Sequence, residues 1–269
     1  MRKISAFADE IGDDLDLQIS TLKENDVGNI EFRGVWGKNV LDLTKNEIAA
    51  VKLAAADEGI GFSAVASPLG KFGLDRNFQC EIDSLNQALE FAEILEAPFV
   101  RLFSYYVPHG STAADHRSQV IDRLSQLIQI AEKSSVMLAH ENEAGIYGES
   151  VSCCLDLFES LVSPAFTGIF DFSNFVVAGE DAYKAWTTLR PHITYFHVKD
   201  NDGKGSVVPA GQGIGQIQRI LAEAFADGFD NFISLEPHLS AAQTNYGRTS
   251  PSLFAAATSA LTSILDAIE

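Results

Sequence analysis

Three acids and one imidazole in the second half of the chain each stand at the end of a short apolar run: Glu141, Asp171, His197 and Glu236. Isolated charges are costly to bury unless they are paired or bound to a metal. Three carboxylates brought together would also repel one another, and a divalent cation removes that repulsion. We therefore predict that these four side chains hold one divalent metal ion. A set dominated by oxygen suits Mn²⁺ or Mg²⁺, with Co²⁺ and Zn²⁺ as alternatives.

Basic side chains accompany these candidate ligands near the ends of the apolar runs. Arg33, Lys71 and Arg101 are candidates for contacts with hydroxyl or carboxylate groups of a substrate. A purely ion-paired role for these three stays open. Lys199 and His238 are candidates for moving protons to and from substrate oxygens. For His238, the alternative is a hydrogen-bonded helper that orients the acid two residues before it.

The elements that must position these residues are short β-rich runs alternating with amphipathic stretches of helical length. The runs are apolar rather than strictly alternating, as expected for parallel strands buried on both faces. Predicted strands are Ile4–Ala8, Asn29–Arg33, Gly61–Ala66, Phe99–Phe103, Val136–His140, Thr167–Asp171, Ile193–Val198 and Phe232–Glu236. Predicted helices are Leu15–Glu24, Lys45–Glu58, Phe78–Leu95, His116–Lys133, Val151–Leu161, Gln216–Ala226 and Ser252–Ala267.

The number of strands predicts the architecture. Eight strands with intervening helices over 269 residues give a repeat of about 34 residues, which is typical of a closed parallel barrel. A doubly wound open sheet has the same alternation, but no G-x-G-x-x-G turn follows the first strand. We therefore predict the α/β class and a single (β/α)8 TIM barrel, forming one domain over residues 1–269. In such a barrel the C-terminal ends of the strands share one mouth, where the candidate ligands would meet.

Several predicted boundaries carry capping signals. Thr44 stands three residues before Glu47, as in a capping box. Gly59 and Gly228 directly follow helical runs and suit the left-handed position after a helix. The glycine-rich run 211–215 precedes a helix and is expected to form a turn whose free N–H groups could contact an anion.

The composition limits the classes of partner. With 19 basic against 37 acidic residues, the net charge is −18, which argues against a nucleic-acid partner held through its phosphates. Three cysteines are an odd count, and Cys153 and Cys154 are adjacent, so we expect free thiols in a reducing compartment. The N-terminus lacks a signal-peptide core, and no segment is expected to reach the ~18 apolar residues of a membrane helix. We expect a cytoplasmic protein with no membrane partner.

At the candidate ligands the chain resembles the xylose isomerase-like barrels, a superfamily that includes sugar isomerases, ketose 3-epimerases and the endonuclease IV group. The resemblance covers essentially the whole chain. It is specific for the superfamily and its metal site, and less specific for substrate. The segments that carry it are Leu138–Gly148, similar to the fifth-strand LxEN…G element, Phe170–Phe175, similar to the sixth-strand aspartate motif, His197–Asp200, similar to HxKD, and Leu235–His238, similar to LEPH.

The resemblance implies that Glu141, Asp171, His197 and Glu236 ligate the metal, and that the two glutamates move protons on opposite faces of a bound sugar. It implies a metal-dependent isomerase or epimerase of a small keto-sugar or sugar derivative, acting through a metal-stabilised enediolate. Asn174 stands where relatives usually carry histidine. This departure weakens a direct transfer of the epimerase mechanism and argues against a trinuclear zinc nuclease site. We count Asn174 among the predicted substrate contacts.

Three other functions remain open. A metal-dependent hydrolase or lyase acting on an oxidised sugar or glycoside would use the same enediolate to expel a leaving group. A DNA-repair nuclease shares the fold but conflicts with the charge of −18 and with Asn174. A non-catalytic sugar-binding protein would not need two glutamates on the metal. The resemblance also implies pairing of barrels through their outer helices, as a dimer or a tetramer.

Overall fold

Eight parallel strands close into one barrel in the computed structural model, which describes residues 2–239 and 248–268. The strands are β1 (Lys3–Ala6), β2 (Asn29–Phe32), β3 (Gly61–Val65), β4 (Phe99–Leu102), β5 (Met137–Glu141), β6 (Phe166–Asp171), β7 (Ile193–Val198) and β8 (Phe232–Leu235). Each strand pairs with its neighbours along the chain, and β8 closes on β1 with Lys3 opposite Phe232. The predicted α/β class and (β/α)8 barrel are confirmed.

Helices cover the outside of the barrel. They are α1 (Leu15–Glu24), α2 (Lys45–Asp57), α3 (Phe78–Leu95), α4 (Ala113–Ala131), α5 (Val151–Ser160), α6 (Phe172–Val177), α7 (Ala182–Leu189), α8 (Ile217–Ala226) and α9 (Pro251–Ile268). Short 3-10 turns are Ala8–Glu10, Val40–Asp42, Tyr147–Glu149 and Arg190–His192. Helices α6 and α7 are absent from the predicted set.

The predicted capping signals are present. Thr44 and Glu47 form a capping box at the start of α2. Gly59 and Gly228, directly after the caps of α2 and α8, have φ of 73° and 91°, the left-handed backbone that glycine adopts without a steric penalty. The start of α2 and the ends of α2 and α8 therefore lie where local residue chemistry satisfies free backbone groups.

The period of two along the strands explains why polar side chains gather inside one end of the barrel. Ala64, Phe99, Ala139, Ile169 and Tyr195 form a separate cluster that fills the interior. Side chains two positions apart on a strand share a face. Two positions after four of these residues, on the same inward face, stand Arg101, Glu141, Asp171 and His197. The polar residues therefore lie directly above the apolar cluster, one inward-facing position closer to the C-terminal ends of the strands.

Loops at the C-terminal ends of the strands build the mouth. The turn Ala8–Glu10 follows β1. A small antiparallel ladder pairs Gly34–Val35 with Lys38–Asn39 after β2, and another pairs Asp200–Asn201 with Val207–Val208 after β7. The residues of the first ladder line the cavity at this end of the barrel.

Helix α9 corrects one expectation. It is 18 residues long with a mean hydropathy of 1.3, which by length and composition alone suffices to cross a membrane. Its buried residues Phe254, Leu261 and Leu265 belong to the main hydrophobic core of the barrel. Core helices pass the same test of length and composition, so this feature is weak support for a membrane span.

Candidate metal centre

The four predicted ligands meet at the C-terminal ends of β5 to β8. One ligand atom from each of Glu141, Asp171, His197 and Glu236 lies within 4.8 Å of the others, and all four residues are buried. His197 Nδ1 stands 3.1 Å from Glu141 Oε1 and 3.8 Å from Glu236 Oε2. Within the described chain this nitrogen makes no hydrogen bond. Three carboxylate oxygens and one imidazole nitrogen at this spacing fit a divalent ion.

Two arginines hold the outer oxygens of the two glutamates. Arg101 Nη1 donates to Glu141 Oε2 at 3.0 Å, and Arg33 Nη1 donates to Glu236 Oε1 at 3.2 Å. Both guanidinium groups also lie over the ring of Phe7, at 5.2 Å and 4.6 Å from its centroid. The other two oxygens, Glu141 Oε1 and Glu236 Oε2, lie 3.1 and 3.8 Å from His197 Nδ1 and therefore face the centre.

Asp171 and Asn174 are linked through the start of helix α6. Asp171 caps that helix, because its Oδ1 accepts from the Asn174 backbone N–H at 2.7 Å. The Asn174 side chain donates to the Asn142 carbonyl at 2.8 Å, and it lies 3.5 Å from Glu141 Oε1. The structure therefore places Asn174 behind Glu141, as a support for that side chain. Its predicted contact with substrate stays a prediction.

Lys199 joins two of the candidate ligands. Its Nζ lies 2.9 Å from Asp171 Oδ2 and 3.0 Å from Glu236 Oε2. Burial alone would lower the pKa of Lys199, but Asp171 and Glu236 raise it well above its usual value. Burial raises the pKa of Asp171 to about 7, although Lys199 acts in the opposite direction. The ammonium group is thus a fixed positive charge beside the four ligand atoms.

The remaining electrostatics of the centre follow from burial and from close pairs. Burial would raise the pKa of Glu141, but His197 and Arg101 lower it to about 2. Burial would lower the pKa of His197, but Glu31 and Glu141 raise it to about 10. The imidazole proton and the neighbouring cations therefore balance the acids.

His238 is held against Glu236 by a residue from the other end of the chain. Its Nε2 lies 3.4 Å from Glu236 Oε1 and 3.2 Å from Glu10 Oε1, and its backbone N–H donates to Glu10 Oε2 at 2.9 Å. Burial would lower the pKa of His238, but Glu236 and Glu10 raise it to about 9. A φ of 46°, uncommon for a residue with a side chain, brings the ring to this position. The sequence did not identify Glu10.

A cavity of about 510 Å³ lies above the centre. At its rim, Lys71 Nζ pairs with Glu143 Oε2 at 2.7 Å. The predicted site residues that line the cavity are Arg33, Lys71, Arg101, Glu141, Lys199, Glu236 and His238. Asp171, His197 and Asn174 are buried outside this lining. The structure therefore brings all the predicted residues to one place, in two layers.

The glycine-rich loop after β7 has an anion partner within the chain. The carboxylate of buried Asp200 accepts from the backbone N–H groups of Gly211, Gly213 and Gly215 at 2.9 to 3.0 Å. A Cβ on Gly213 would lie 2.3 Å from Asp200 Oδ1, so a side chain cannot fit there. The loop therefore clamps the residue next to Lys199, and the N–H groups expected to contact an anion contact Asp200.

A second residue without a predicted role, Glu31, lies beneath the centre. Its carboxylate stands 3.0 Å from His197 Nε2. The sequence offered one signal for it, an acid between Ile30 and Phe32 in a predicted strand. A buried acid requires a partner, but that signal does not identify the partner.

Solved structures with a similar fold cover nearly the whole chain. A D-tagatose 3-epimerase-like protein is 17% identical over 99% of this chain and 98% of its own, with a TM-score of 0.79. The IOLI protein with a zinc atom is 14% identical over 99% of each chain, with a TM-score of 0.80. The probable 3-DHS dehydratase AsbF from Bacillus anthracis is 17% identical over 97% of this chain and 99% of its own, with a TM-score of 0.77. At these identities the likeness shows the fold alone.

The sequence places the chain in a family. Among curated proteins no sequence matches it. The family model described as xylose isomerase-like TIM barrel matches residues 20–255, which is most of the chain. The chain therefore belongs to the xylose isomerase-like TIM barrel family.

Proposed function

We propose that this protein is a metal-dependent isomerase or epimerase of a small keto-sugar or sugar derivative. The observation that carries the proposal is the convergence of four ligand atoms, from Glu141, Asp171, His197 and Glu236, within 4.8 Å of one another beside the cavity. The D-tagatose 3-epimerase-like neighbour supports the reaction class. The oxygen-dominated set favours Mn²⁺ or Mg²⁺, and the zinc atom of the IOLI protein supports a divalent ion in this fold.

The site residues have different roles in the proposed reaction. When bound, the divalent ion would supply positive charge that stabilises an enediolate. Glu141 and Glu236 line the cavity, so they are placed to take a proton from a substrate carbon and to return it. Lys199 and His238 lie 3.0 and 3.4 Å from the two oxygens of Glu236. These two cations are placed to exchange protons with substrate oxygens.

Isotope exchange tests this assignment. The protein is incubated in D₂O with Mn²⁺ and a panel of ketoses, and deuterium entry at carbon is followed by NMR. Glu141→Gln and Glu236→Gln should each slow the exchange by about 100-fold or more, the scale of a lost acid–base catalyst. Glu159→Gln, at an exposed position of α5, is the matched control and should exchange normally. Undiminished exchange in both site variants would rule out the two-glutamate mechanism.

The charges around the cavity favour a second candidate, a lyase acting on an oxidised sugar. Six of the 19 basic residues line the cavity, against five of the 37 acids, so this acidic chain concentrates its positive charge there. Arginine and lysine suit a carboxylate on the substrate. The dehydratase neighbour supports elimination within this fold. A product that has lost a leaving group would favour the lyase, and a product of unchanged mass would favour the isomerase or epimerase.

A further inference from the structure

Glu31 contacts one particular nitrogen of the His197 ring. Glu31 is fully buried on β2, and both of its carboxylate oxygens lie 3.0 Å from His197 Nε2. The other ring nitrogen, Nδ1, faces Glu141 and Glu236 at 3.1 and 3.8 Å. Glu31 therefore contacts the side of the imidazole that points away from the candidate ligands.

Glu31 is itself held from below by a chain of hydroxyl groups. The Tyr195 hydroxyl donates to Glu31 Oε2 at 2.8 Å. Because that hydroxyl has one hydrogen and a carboxylate oxygen only accepts, the tyrosine oxygen is left to accept from Ser63, 2.8 Å away. Ser5 Oγ lies 2.5 Å from Ser63 Oγ. The side chains that support Glu31 come from β1, β3 and β7, so closure of the barrel fixes its place.

Aromatic packing around His197 does not explain why a carboxylate lies at its Nε2. Edge-on contacts with Phe7 and Tyr195, at centroid distances of 5.1 and 5.6 Å, already orient the His197 ring. Aromatic packing does not decide which of the two nitrogens carries the hydrogen. The Glu31 carboxylate can only accept, so it keeps a hydrogen on Nε2, and Nδ1 is then the nitrogen that can give up its proton to a metal ion.

We infer that Glu31 is a positioning residue of the metal centre, one that makes His197 a ligand through Nδ1. By accepting the Nε2 hydrogen, the Glu31 carboxylate leaves Nδ1 as the nitrogen that would give up its proton to a metal ion at the site shared with Glu141 and Glu236. Carboxylates that hold the second nitrogen of a ligating histidine also raise its strength as a ligand. This inference rests on the metal site of the proposed function. Glu31 is not a fifth ligand, because it lies at the opposite nitrogen.

Metal affinity tests the inference without any turnover. Glu31→Gln keeps the shape of the side chain and removes its charge. Titration calorimetry of metal-stripped protein with Mn²⁺, and separately with Zn²⁺, should show affinity weakened by about 10- to 100-fold, the range for such supporting residues. Glu81→Gln is the matched control, because Glu81 is an equally buried glutamate outside the cavity lining. The metal affinity of Glu81→Gln should stay within about twofold of that of the parent, the protein without substitutions.

A spectroscopic measurement separates positioning from general damage. In zinc-loaded protein with ¹⁵N-labelled histidine, the parent should show a strongly hydrogen-bonded Hε2 on His197, assigned by its loss in His197→Gln. Glu31→Gln should lose that downfield signal, whereas Glu81→Gln should keep it. Equal affinities and an unchanged His197 signal in folded Glu31→Gln would overturn the inference.

If Glu31→Gln does not fold, a second variant tests the role of Glu31. Tyr195→Phe keeps the Glu31 charge and removes the donor that holds it, so metal affinity should fall by a few-fold and the Hε2 signal should shift. Parent-like affinity and an unshifted signal in Tyr195→Phe would overturn the inference. If the parent itself binds no divalent ion, the proposed function fails instead, and the Hε2 signal of metal-free protein still reports on Glu31.

Discussion

At the residue scale, the negative charges of the centre are balanced by arginine and lysine side chains from neighbouring strands. Arg101 of β4 pairs with Glu141 of β5, and Lys199, after β7, pairs with Glu236, after β8. Breaking a buried pair leaves an unpaired charge and costs about 3–5 kcal/mol, whereas an exposed pair contributes about 1 kcal/mol or less. Stability and chemistry at this site therefore depend on the same contacts.

A buried acid outside the cavity lining predicts how stability varies with pH. Glu81 on α3 is fully buried, with its nearest ion-pairing nitrogen on Arg123 at 3.8 Å. Burial raises the pKa of Glu81 from 4.5 to about 7. A raised pKa means that the folded state prefers the protonated acid. Its contribution to stability is therefore complete below pH 4.5 and is lost as the pH rises through about 7.

The variant Glu81→Gln removes this titration. Its free energy of unfolding relative to the parent should rise between pH 4.5 and 7, by up to about 3 kcal/mol. Urea unfolding at half-unit pH steps measures the difference. Glu159→Gln, at an exposed position, should give a flat difference over the same range. A flat difference for Glu81→Gln as well would show that burial does not set the titration of Glu81.

The residues that sequence reasoning found and missed differ in a physical way. Glu141 and Asp171 are strand-end acids whose neighbourhood follows from the barrel alone, so the fold prediction sufficed to place them. Glu10 and Glu31 act through partners 228 and 166 residues away in sequence. Such pairings depend on which side chains face each other across the closed barrel, and no local pattern contains that information.

At the element scale, the strands were predictable and one connection was not. The predicted strands match the observed ones to within two residues at each end, because buried apolar runs bounded by polar residues leave little freedom. Helix α6 has only six residues and starts from Asp171, which is its cap. A segment this short carries less than two turns of amphipathic pattern, so periodicity could not reveal it. Helix α4 begins at Ala113, earlier than predicted, because Asp115 accepts from the Thr112 backbone N–H at 2.8 Å.

The glycine loop after β7 supports a prediction at this scale. In Gly213→Ala, the new Cβ would lie 2.3 Å from both the Asn201 carbonyl oxygen and Asp200 Oδ1. The backbone must therefore shift, and we expect a loss of about 2 kcal/mol or more in the free energy of unfolding. Gly28→Ala is the matched control, because nothing lies within 4 Å of its added Cβ. Urea unfolding should place that control within about 0.5 kcal/mol of the parent. A similarly small loss of unfolding free energy in Gly213→Ala would show that the loop accommodates a side chain without destabilising the fold.

At the scale of the whole molecule, the apolar interior and the charged residues occupy different levels of the barrel. The apolar cluster around Tyr195 fills the interior, and the charged residues gather above it at one end. The order of strands and helices was enough to predict this division, since every parallel barrel places its strand ends at one mouth. The substrate could not be predicted in the same way, because it depends on loop side chains such as Lys71 and Arg248 that line the cavity.

Thermal unfolding with and without metal tests the whole arrangement. The four ligand atoms lie within 4.8 Å of one another in the folded chain and separate when it unfolds, so a divalent ion should bind the folded state selectively. Saturation at 100 times the dissociation constant stabilises that state by about 2.7 kcal/mol, which raises the melting temperature of a chain this long by roughly 5–10 °C. Because the net charge of −18 attracts cations generally, NaCl at matched ionic strength is the baseline. Glu236→Gln should lose more than half of the rise, and an equal rise in that variant would show that the ion binds elsewhere.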